Sequence, residues 1–158
     1  MEKSGSKKRF LVIVPVISIL VLLFGWFMYR EYRLSRSYKL YKSASGYELA
    51  NNYETAIKVL QEARGLNPGN PEISAKLASV YLRAGKTDAG IRILKETIAA
   101  HPAYSIAYYH LAFYYFKRKQ YKTSKQYWQR FLDTNRDAMY DSIARKRLKE
   151  IDAFLSQE

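Results

Sequence analysis

The chain has 158 residues, 48% of them hydrophobic, and its 27 lysines and arginines exceed its 14 acidic residues to give a net charge of +13. It has no cysteine, which excludes disulfides, thiol nucleophiles and thiolate metal ligands together. Beyond a first apolar segment, the length allows one soluble domain of about 120 residues. The positive charge favours acidic peptides, anionic lipid headgroups or polyanions, although solubility beside a negatively charged membrane accounts for it equally well.

A run of 20 uncharged residues, 10–29, follows a short basic tail formed by residues 1–9. At about 1.5 Å per residue, a helix of this length spans roughly 30 Å, the thickness of the hydrocarbon core of a bilayer. Trp26 and Tyr29 lie at its far end, where aromatic rings with a polar group suit the membrane interface. We therefore predict one transmembrane helix over residues 10–29, with Pro15 tolerated inside it.

A cleaved signal peptide is the rival interpretation of the same run. Its apolar core is usually shorter, and a cleavage site of the small-x-small type should follow it. Here Gly25 is followed by Trp26, Phe27, Met28, Tyr29 and Arg30, which offer no such site. The sequence therefore favours an uncleaved, single-pass anchor.

The side of the membrane on which the rest of the chain lies is open from charge alone, because both flanks of the run are basic. Lys7, Lys8 and Arg9 abut the run directly, and five basic residues follow it: Arg30, Arg33, Arg36, Lys39 and Lys42. The preceding cluster is typical of a signal anchor, and a long folded domain translocates largely regardless of its own charge. We expect the N-terminus in the cytoplasm and the soluble domain outside it.

Residues 30–36 are compatible with a helix, so we predict a juxtamembrane helical extension there. Three units of 34 residues follow and align without gaps: 37–70, 71–104 and 105–138. Small residues recur in two columns and tyrosine in a third, namely Ala44, Ala78 and Ala112; Ala56, Gly90 and Ser124; Tyr47, Tyr81 and Tyr115. A period of this length with small residues at fixed offsets indicates a solenoid of helical hairpins.

The columns have a physical explanation in such a solenoid. Contacting helices lie only about 8–10 Å apart, so a larger side chain at the small columns would separate them. The tyrosine column is predicted to fill the gap between hairpins. Pro68 and Pro102 should follow the second helix of each hairpin, while Asn70 should cap the next helix with Pro71 as its first residue.

A further amphipathic helix is predicted over residues 139–158. Its apolar residues share one face: Tyr140, Ala144, Leu148, Ile151 and Leu155. The last unit of a solenoid needs a polar outer surface because no neighbour covers it. We interpret this segment as the capping helix.

The period and its columns resemble the tetratricopeptide repeat family, which implies an all-α, right-handed solenoid of helix pairs that holds a partner peptide and does not transform a substrate. Three positions depart from the family pattern. Gly90 replaces the usual alanine and is expected to loosen the second helix of its unit. Ser74 replaces a bulky residue, and Arg136 stands where the first two units have proline.

The resemblance also implies which residues face the concave groove. They are recurring positions on the first helix of each unit: Tyr38, Tyr41, Ser45, Glu48 and Leu49; Glu72, Ala75, Ser79, Leu82 and Arg83; Ile106, Tyr109, Phe113, Phe116 and Lys117. Lys42, Lys76 and His110 lie one step along, at its edge. The Lys and Asn pair with which some members grip a terminal carboxylate is missing. An aromatic groove with basic edges remains, which suits an apolar or amphipathic segment bearing acidic residues.

No catalytic, cofactor or metal site is predicted. His101 precedes Pro102 in a turn and His110 lies on a helix, and neither belongs to a recognised motif. Nucleic acid is a poor candidate partner, because charge is present without a recognised binding module.

We therefore expect a non-enzymatic, membrane-anchored adaptor that recruits a partner protein at the bilayer. Small bacterial proteins with one N-terminal anchor and a few such repeats look similar, and several serve envelope protein assembly or secretion. That resemblance implies an inner-membrane protein with the repeats outside the cytoplasm. The alternative is a self-associating module whose basic face contacts anionic lipid.

Overall fold

A computed structural model describes residues 4–135 and 137–156, and every regular element in this part of the chain is an α-helix. The helices are α1 (Ser4–Leu49), α2 (Tyr53–Leu66), α3 (Pro71–Arg83), α4 (Thr87–Ala100), α5 (Ser105–Lys117), α6 (Tyr121–Thr134) and α7 (Ala138–Leu155). Residues 1–3, 136, 157 and 158 lie outside it, as do the side chains of residues 4–14. The charge cluster of the basic tail and the Arg136 departure therefore stay predictions.

The helices are arranged as consecutive hairpins, which confirms the all-α helical repeat. α1 packs on α2, α3 on α4 and α5 on α6, and each hairpin contacts the next. The first helices α3 and α5 also touch each other directly. One face of the stack is therefore built from first helices.

The two small-residue columns lie where the helices of each hairpin cross. Ala44, Ala78 and Ala112 are fully buried on the first helices, and Ala56 and Ser124 are fully buried on the second. In the third hairpin the hydroxyl of Ser124 donates a hydrogen bond of 2.8 Å to the carbonyl of Ala112. Serine, which has one heavy atom beyond Cβ, is therefore accommodated at this crossing because its hydroxyl bonds to the backbone of the facing helix.

Gly90 lies where the two helices of its hairpin cross closely, and the expectation that it loosens the second helix stays a prediction. A Cβ atom at this position would lie 2.9 Å from the carbonyl oxygen of Ala78 and 2.8 Å from Cγ of Leu82. Leu82 lies where the first unit has Glu48, and its branched side chain takes the space that a methyl group would need. Glycine is therefore the residue that fits against Leu82.

The predicted turns are confirmed at the junction of the first two units. α2 ends at Leu66, before Pro68, and α3 begins with Pro71. The side chain of Asn70 accepts hydrogen bonds from the backbone N–H groups of Glu72 and Ile73, at 2.9 and 3.2 Å. These bonds satisfy two of the donors that a helix N-terminus leaves free.

The tyrosine column is only partly buried, and its members differ. Tyr81 packs against the core and accepts a hydrogen bond of 2.7 Å from Gln61 on α2, and Tyr115 stacks on Tyr127. Tyr47 is 38% exposed because no hairpin precedes α1 in the described part of the chain. Tyr81 thus joins the first two hairpins, whereas the ring stack of Tyr115 lies within its own hairpin.

α1 is continuous from Ser4 to Leu49, so the apolar segment and the first helix of the first hairpin form a single helix of 46 residues. This helix is long and apolar enough to cross a membrane. From Val16 to Tyr29 its large apolar side chains are between 50% and 72% exposed. Nothing in the described solenoid covers them.

The last helix, α7, packs on α6 with the predicted face. Ala144 and Ile151 are fully buried there, and Tyr140, Leu148 and Leu155 are partly buried beside Trp128 and Phe131. Arg145, Lys146 and Lys149 are exposed. α7 therefore closes the apolar end of the stack and leaves a charged outer surface.

Replacing Gly90 with Ala should lower the free energy of unfolding, since the new methyl group would collide with the backbone of α3. We expect a net loss of about 1–2 kcal/mol, after the higher helix propensity of alanine is allowed for. The matched control is Gly46→Ala in α1, where an added Cβ meets no atom within 4 Å. That variant should be unchanged or up to about 1 kcal/mol more stable. Urea unfolding in a mild detergent, followed by circular dichroism, checks both, and a stabilised Gly90→Ala would contradict the close crossing.

Candidate functional site: the cleft between the first helices

The first helices of the second and third hairpins border an open cleft of about 580 Å³. Its walls come from α3, α5 and the beginning of α2, and its lining is partly apolar and partly basic: Tyr53, Ser79, Leu82, Arg83, Tyr109, His110, Phe113, Tyr114 and Lys117. Six of the fifteen predicted groove residues line this cleft, together with the edge residue His110: Ser79, Leu82, Arg83, Tyr109, Phe113 and Lys117. Aromatic walls of this kind offer rigid contact area to an apolar segment.

Tyr109 belongs to the cleft and to the core at the same time. Its ring packs edge-on against Trp128 and Tyr140, with centroids 5.4 and 6.2 Å apart, and also lies 5.8 Å from Phe131. These contacts join α5 to α6 and α7. Tyr109 therefore stabilises the packing of α5 on α6 and α7 as well as lining the cleft.

Phe113, the second predicted aromatic anchor, is half-buried and lines the cleft. Its ring is stacked parallel to that of Tyr109 at a centroid distance of 6.3 Å, and the Lys117 ammonium lies over the ring, 4.9 Å from its centroid. The ring therefore combines apolar surface in the cleft with an adjacent cation. A peptide with an aromatic or aliphatic side chain and a nearby carboxylate matches both features.

Glu48 neutralises the two basic residues of the second hairpin. Its carboxylate is 6% exposed and lies 2.7 Å from the Lys76 ammonium and 2.9 Å from the Arg83 guanidinium. Arg83 also lies over the ring of Tyr53, at 5.1 Å from its centroid. These cations, predicted as a basic edge, already have a buried counter-ion within the protein.

The groove residues of α1 form a separate margin. Tyr41 is half-buried and donates a hydrogen bond of 2.7 Å to Glu72. Burial, and then the bond to Glu72, raise the pKa of Tyr41, so the hydroxyl stays protonated. Tyr38, Lys42, Ser45 and Leu49 are exposed, with the Lys42 ammonium 5.0 Å from the Tyr38 ring centroid.

Three predicted groove positions lie elsewhere. Ala75 is 1% exposed and belongs to the core. Ile106 packs against the same core from α5. Phe116 faces α7, where it contacts Tyr121 and lies beneath Arg147. The spacing of groove positions in the family does not allow for the seventh helix, which covers this side of α5.

Sequence reasoning missed Tyr53 and Tyr114 in the cleft. Tyr53 is the first residue of α2, and the corresponding position of the second unit is Thr87. Tyr114 follows Phe113 and replaces the buried Val80 of the second unit. Tyrosine recurs at Tyr121 in the column of Tyr53, but Tyr121 packs against Phe116 and Phe154 and does not line the cleft. The column of Tyr114 has no shared residue type, because the other units have Gly46 and Val80 there.

His110 lies on α5 and lines the cleft, as expected for an edge residue. Burial, and then the charge of Lys76, lower its pKa to about 4. Its neighbour Tyr109 packs edge-on against the imidazole at 5.6 Å. Within the described residues, no three His, Asp or Glu side chains come together in a group that could hold a metal ion.

Two sequence models of the tetratricopeptide repeat match the chain, one over residues 49–102 and the other over 106–138. Together they span more than half of it. The fold and the cleft define a helical-hairpin repeat protein with an open concave face. The chain belongs to the tetratricopeptide repeat family, whose domains are generally non-catalytic protein-binding modules. Comparison with curated proteins gives no match.

Solved structures show the same fold at low sequence identity. The first TPR of Spaghetti (RPAP3), bound to the HSP90 peptide SRMEEVD, is 20% identical with a TM-score of 0.66, over 78% of this chain and 95% of that one. The Yersinia enterocolitica type III secretion chaperone SycD, in complex with a peptide of the translocator YopD, is 16% identical with a TM-score of 0.65, over 76% and 93%. The TPR2B domain of yeast Sti1, in a complex with pHsp70, is 11% identical with a TM-score of 0.67, over 75% and 98%.

Separate replacement of Tyr109 and Phe113 with Ala should distinguish a residue that mainly stabilises the fold from one that is available for binding. Tyr109→Ala removes ring contacts to two other helices, α6 and α7, so it should lower the free energy of unfolding by about 3 kcal/mol. Phe113→Ala should cost about 1 kcal/mol, because the ring is half-buried and stacks on one described ring, that of Tyr109. Denaturant unfolding of each variant checks this. Equal losses would place Phe113 in the core and remove it from the binding surface.

Acid should destabilise the protein through His110. The pKa of His110 in the folded state, about 4, lies below that of an unfolded histidine at about 6.5, so the unfolded chain binds the additional proton between these values. Stability should therefore be complete above pH 6.5 and fall by about 1–3 kcal/mol as the pH approaches 4. The measurement is the difference in unfolding free energy between the wild type and His110→Gln across this range. If the difference in unfolding free energy did not change with pH, the fold would not protect the His110 ring from protonation.

Proposed function

We propose that this protein is a non-enzymatic, membrane-anchored adaptor that holds an apolar or amphipathic protein segment in the cleft between α3 and α5. The observation that carries the proposal is an accessible wall of Phe113, Tyr114 and Tyr53 beside an exposed Lys117. Aromatic anchors with a cation at the edge suit capture of a segment with acidic residues. The peptide-bound members of the family support this use of the concave face.

The distribution of charge around the cleft also predicts the orientation of a bound partner. Lys76 and Arg83 are paired with Glu48. By contrast, Arg118 and Lys119 in the turn from α5 to α6, and Lys122 in the first turn of α6, have no described carboxylate at ion-pair distance. Lys117 joins this turn to the cleft. We therefore place the apolar residues of the partner on Phe113 and its acidic residues over the turn.

The exposed apolar segment and its continuity with the first hairpin support an anchor. Ser37 is fully buried and donates a hydrogen bond to the carbonyl of Ala63, so the hairpin begins less than three turns beyond residue 29. If the apolar run were a cleaved signal peptide, cleavage would divide α1 just before the residues that pack in the first hairpin. We place the repeats outside the cytoplasm of a bacterium, in a role such as envelope protein assembly or secretion. Protease protection or a C-terminal reporter fusion tests the side.

The alternative function, self-association, is less well supported, because the surface at the N-terminal end of the stack is poorly suited to it. Leu77 and Tyr81 on α3 lie beside Gln61 and Arg64 of the preceding hairpin. One period earlier, α1 has Ser43 and Tyr47, flanked by Lys39 and Gly46, and all four are exposed. Polar and small side chains thus form a terminal surface, which disfavours end-to-end stacking of solenoids.

Crosslinking in membranes, followed by solubilisation and affinity capture, should retrieve a specific partner with the wild type and lose it with Phe113→Ala. A matched control is Phe154→Ala, because Phe154 is exposed on α7 and stacks on Tyr121, away from the cleft. Capture of nothing specific, or equal capture by both variants, would contradict the adaptor. A purified chain that oligomerises and binds anionic vesicles in a salt-sensitive way would favour the alternative.

Glu48→Gln should change which peptides the cleft accepts. The amide keeps the size of the side chain but releases the charges of Lys76 and Arg83 toward the cleft. A peptide of matched apolar sequence carrying several Asp residues should bind about tenfold more tightly to the variant, whereas its Asn counterpart should not change. The control is Glu62→Gln, which removes an exposed carboxylate paired with Arg36. Unchanged affinity for the Asp peptide would show that Glu48 does not screen the cleft.

A further inference from the structure

A second cleft lies where the apolar segment meets the first hairpin. It has a volume of about 280 Å³ and lies between α1 and the turn from α2 to α3. One wall carries aromatic and basic residues and the other is apolar: Trp26, Tyr29, Arg30, Arg33 and Leu34 on α1, with Leu66 and Pro68 opposite. The cleft proposed for a partner protein lies elsewhere, between α3, α5 and the beginning of α2.

The basic residues of this second cleft are held in place by specific contacts. Arg33 donates a hydrogen bond of 3.1 Å to the carbonyl of Gly65 near the end of α2, and its guanidinium carbon lies 5.8 Å from the Tyr29 ring centroid. The guanidinium of Arg30 lies over Trp26 at 5.9 Å. No described carboxylate is paired with either arginine, whereas Arg36, one turn on, is bound to Glu62 at 2.6 Å.

The position of this cleft along α1 points to the bilayer surface. Residues 10–29 are the uncharged run, and Arg30 is the first charge after it. A rise of about 1.5 Å per residue puts Arg30 and Arg33 within about 6 Å of the end of the hydrocarbon, at the level of lipid phosphates. Trp26 and Tyr29 are exposed one turn below, where aromatic residues collect at the interface.

We propose that this cleft binds the phosphodiester headgroup of one anionic phospholipid, of the phosphatidylglycerol class. Arg30 and the free nitrogens of Arg33 hold the phosphate, because planar guanidinium groups match phosphate oxygens in pairs. The acyl chains lie along the exposed apolar face that ends at Trp26, and Leu66 and Pro68 close the other side. The site rests on the proposed membrane anchoring and would fix the α2–α3 turn against the bilayer.

The test uses the full chain in detergent, titrated with phosphatidylglycerol or phosphatidylcholine while tryptophan emission is recorded. The sequence has two tryptophans, and Trp128 is fully buried, so Trp26 is the reporter. Phosphatidylglycerol should give a saturable change that phosphatidylcholine does not. Arg30→Gln should weaken it about fivefold or more. Arg36→Gln removes the same charge outside the cleft, and its affinity should stay within about twofold of the wild type.

Equal responses to the two lipids, or equal losses in the two variants, would overturn the site and leave only general attraction of basic residues to anionic lipid. Full competition by inorganic phosphate would assign the site to free phosphate and also overturn the lipid assignment. Arg33 is left intact, since its bond to Gly65 contributes to the fold.

Reconstitution into nanodiscs separates failure of this site from failure of the anchor. A chain that enters phosphatidylcholine discs with and without phosphatidylglycerol, and shows no lipid preference, overturns the headgroup site alone. A chain that enters neither, and is released from vesicles by alkaline carbonate, overturns the anchor and the site together.

Discussion

The close crossing of the two helices in each hairpin is the constraint on which the rest of the structure depends. In the second hairpin the space between α3 and α4 is so small that a methyl group at Gly90 would meet the carbonyl of Ala78. In the third, Ser124 fits only as a donor to the carbonyl of Ala112. Gly90 also packs against Leu82, and Leu82 lines the cleft between α3 and α5. The crossing of α3 and α4 therefore positions one residue of the cleft wall.

The periodic features of the sequence predicted most of the fold. The hairpins, the apolar face of α7 and the buried small columns recur at fixed offsets or follow a helical period, and the Asn70 cap follows from the local Asn70-Pro71 signal, so one sequence was enough to find them. The cleft was predicted less completely. Tyr114 and the ion pairs of Glu48 occur in one unit, and Tyr53 lines the cleft whereas its counterpart Tyr121 does not, so the repeat pattern did not identify them. Gly90 and Leu82 illustrate the same point, because the glycine leaves the space that the leucine of the facing helix occupies, and this pair of residues occurs in the second unit alone.

α1 belongs to two parts of the molecule, and this limits how the solenoid can move. A helix of 46 residues is about 69 Å long, with its apolar part and its packed part on one axis. Arg33, Arg36 and Ser37 tie the middle of this helix to Gly65, Glu62 and Ala63 on α2. A flexible linker would let the partner cleft sample many directions relative to an anchor. Here the contacts with α2 begin within two turns of the apolar run, so a membrane that holds the run also orients the cleft.

The positions of the basic residues change how the large net positive charge of the chain is interpreted. Net charge at the level of composition suggests a basic groove, yet the two cations of the second hairpin lie against a carboxylate that is almost completely buried. Separating that carboxylate from both cations would leave a buried charge without a partner, which costs more than an exposed ion pair returns. An acidic ligand therefore gains little from Lys76 or Arg83. Cations without a described carboxylate at ion-pair distance include those at the α5–α6 turn, at one end of the cleft, and Arg30 and Arg33 on α1 beside the apolar run. In the functions proposed above, charge at the first position would orient a bound segment and charge at the second would attract anionic lipid.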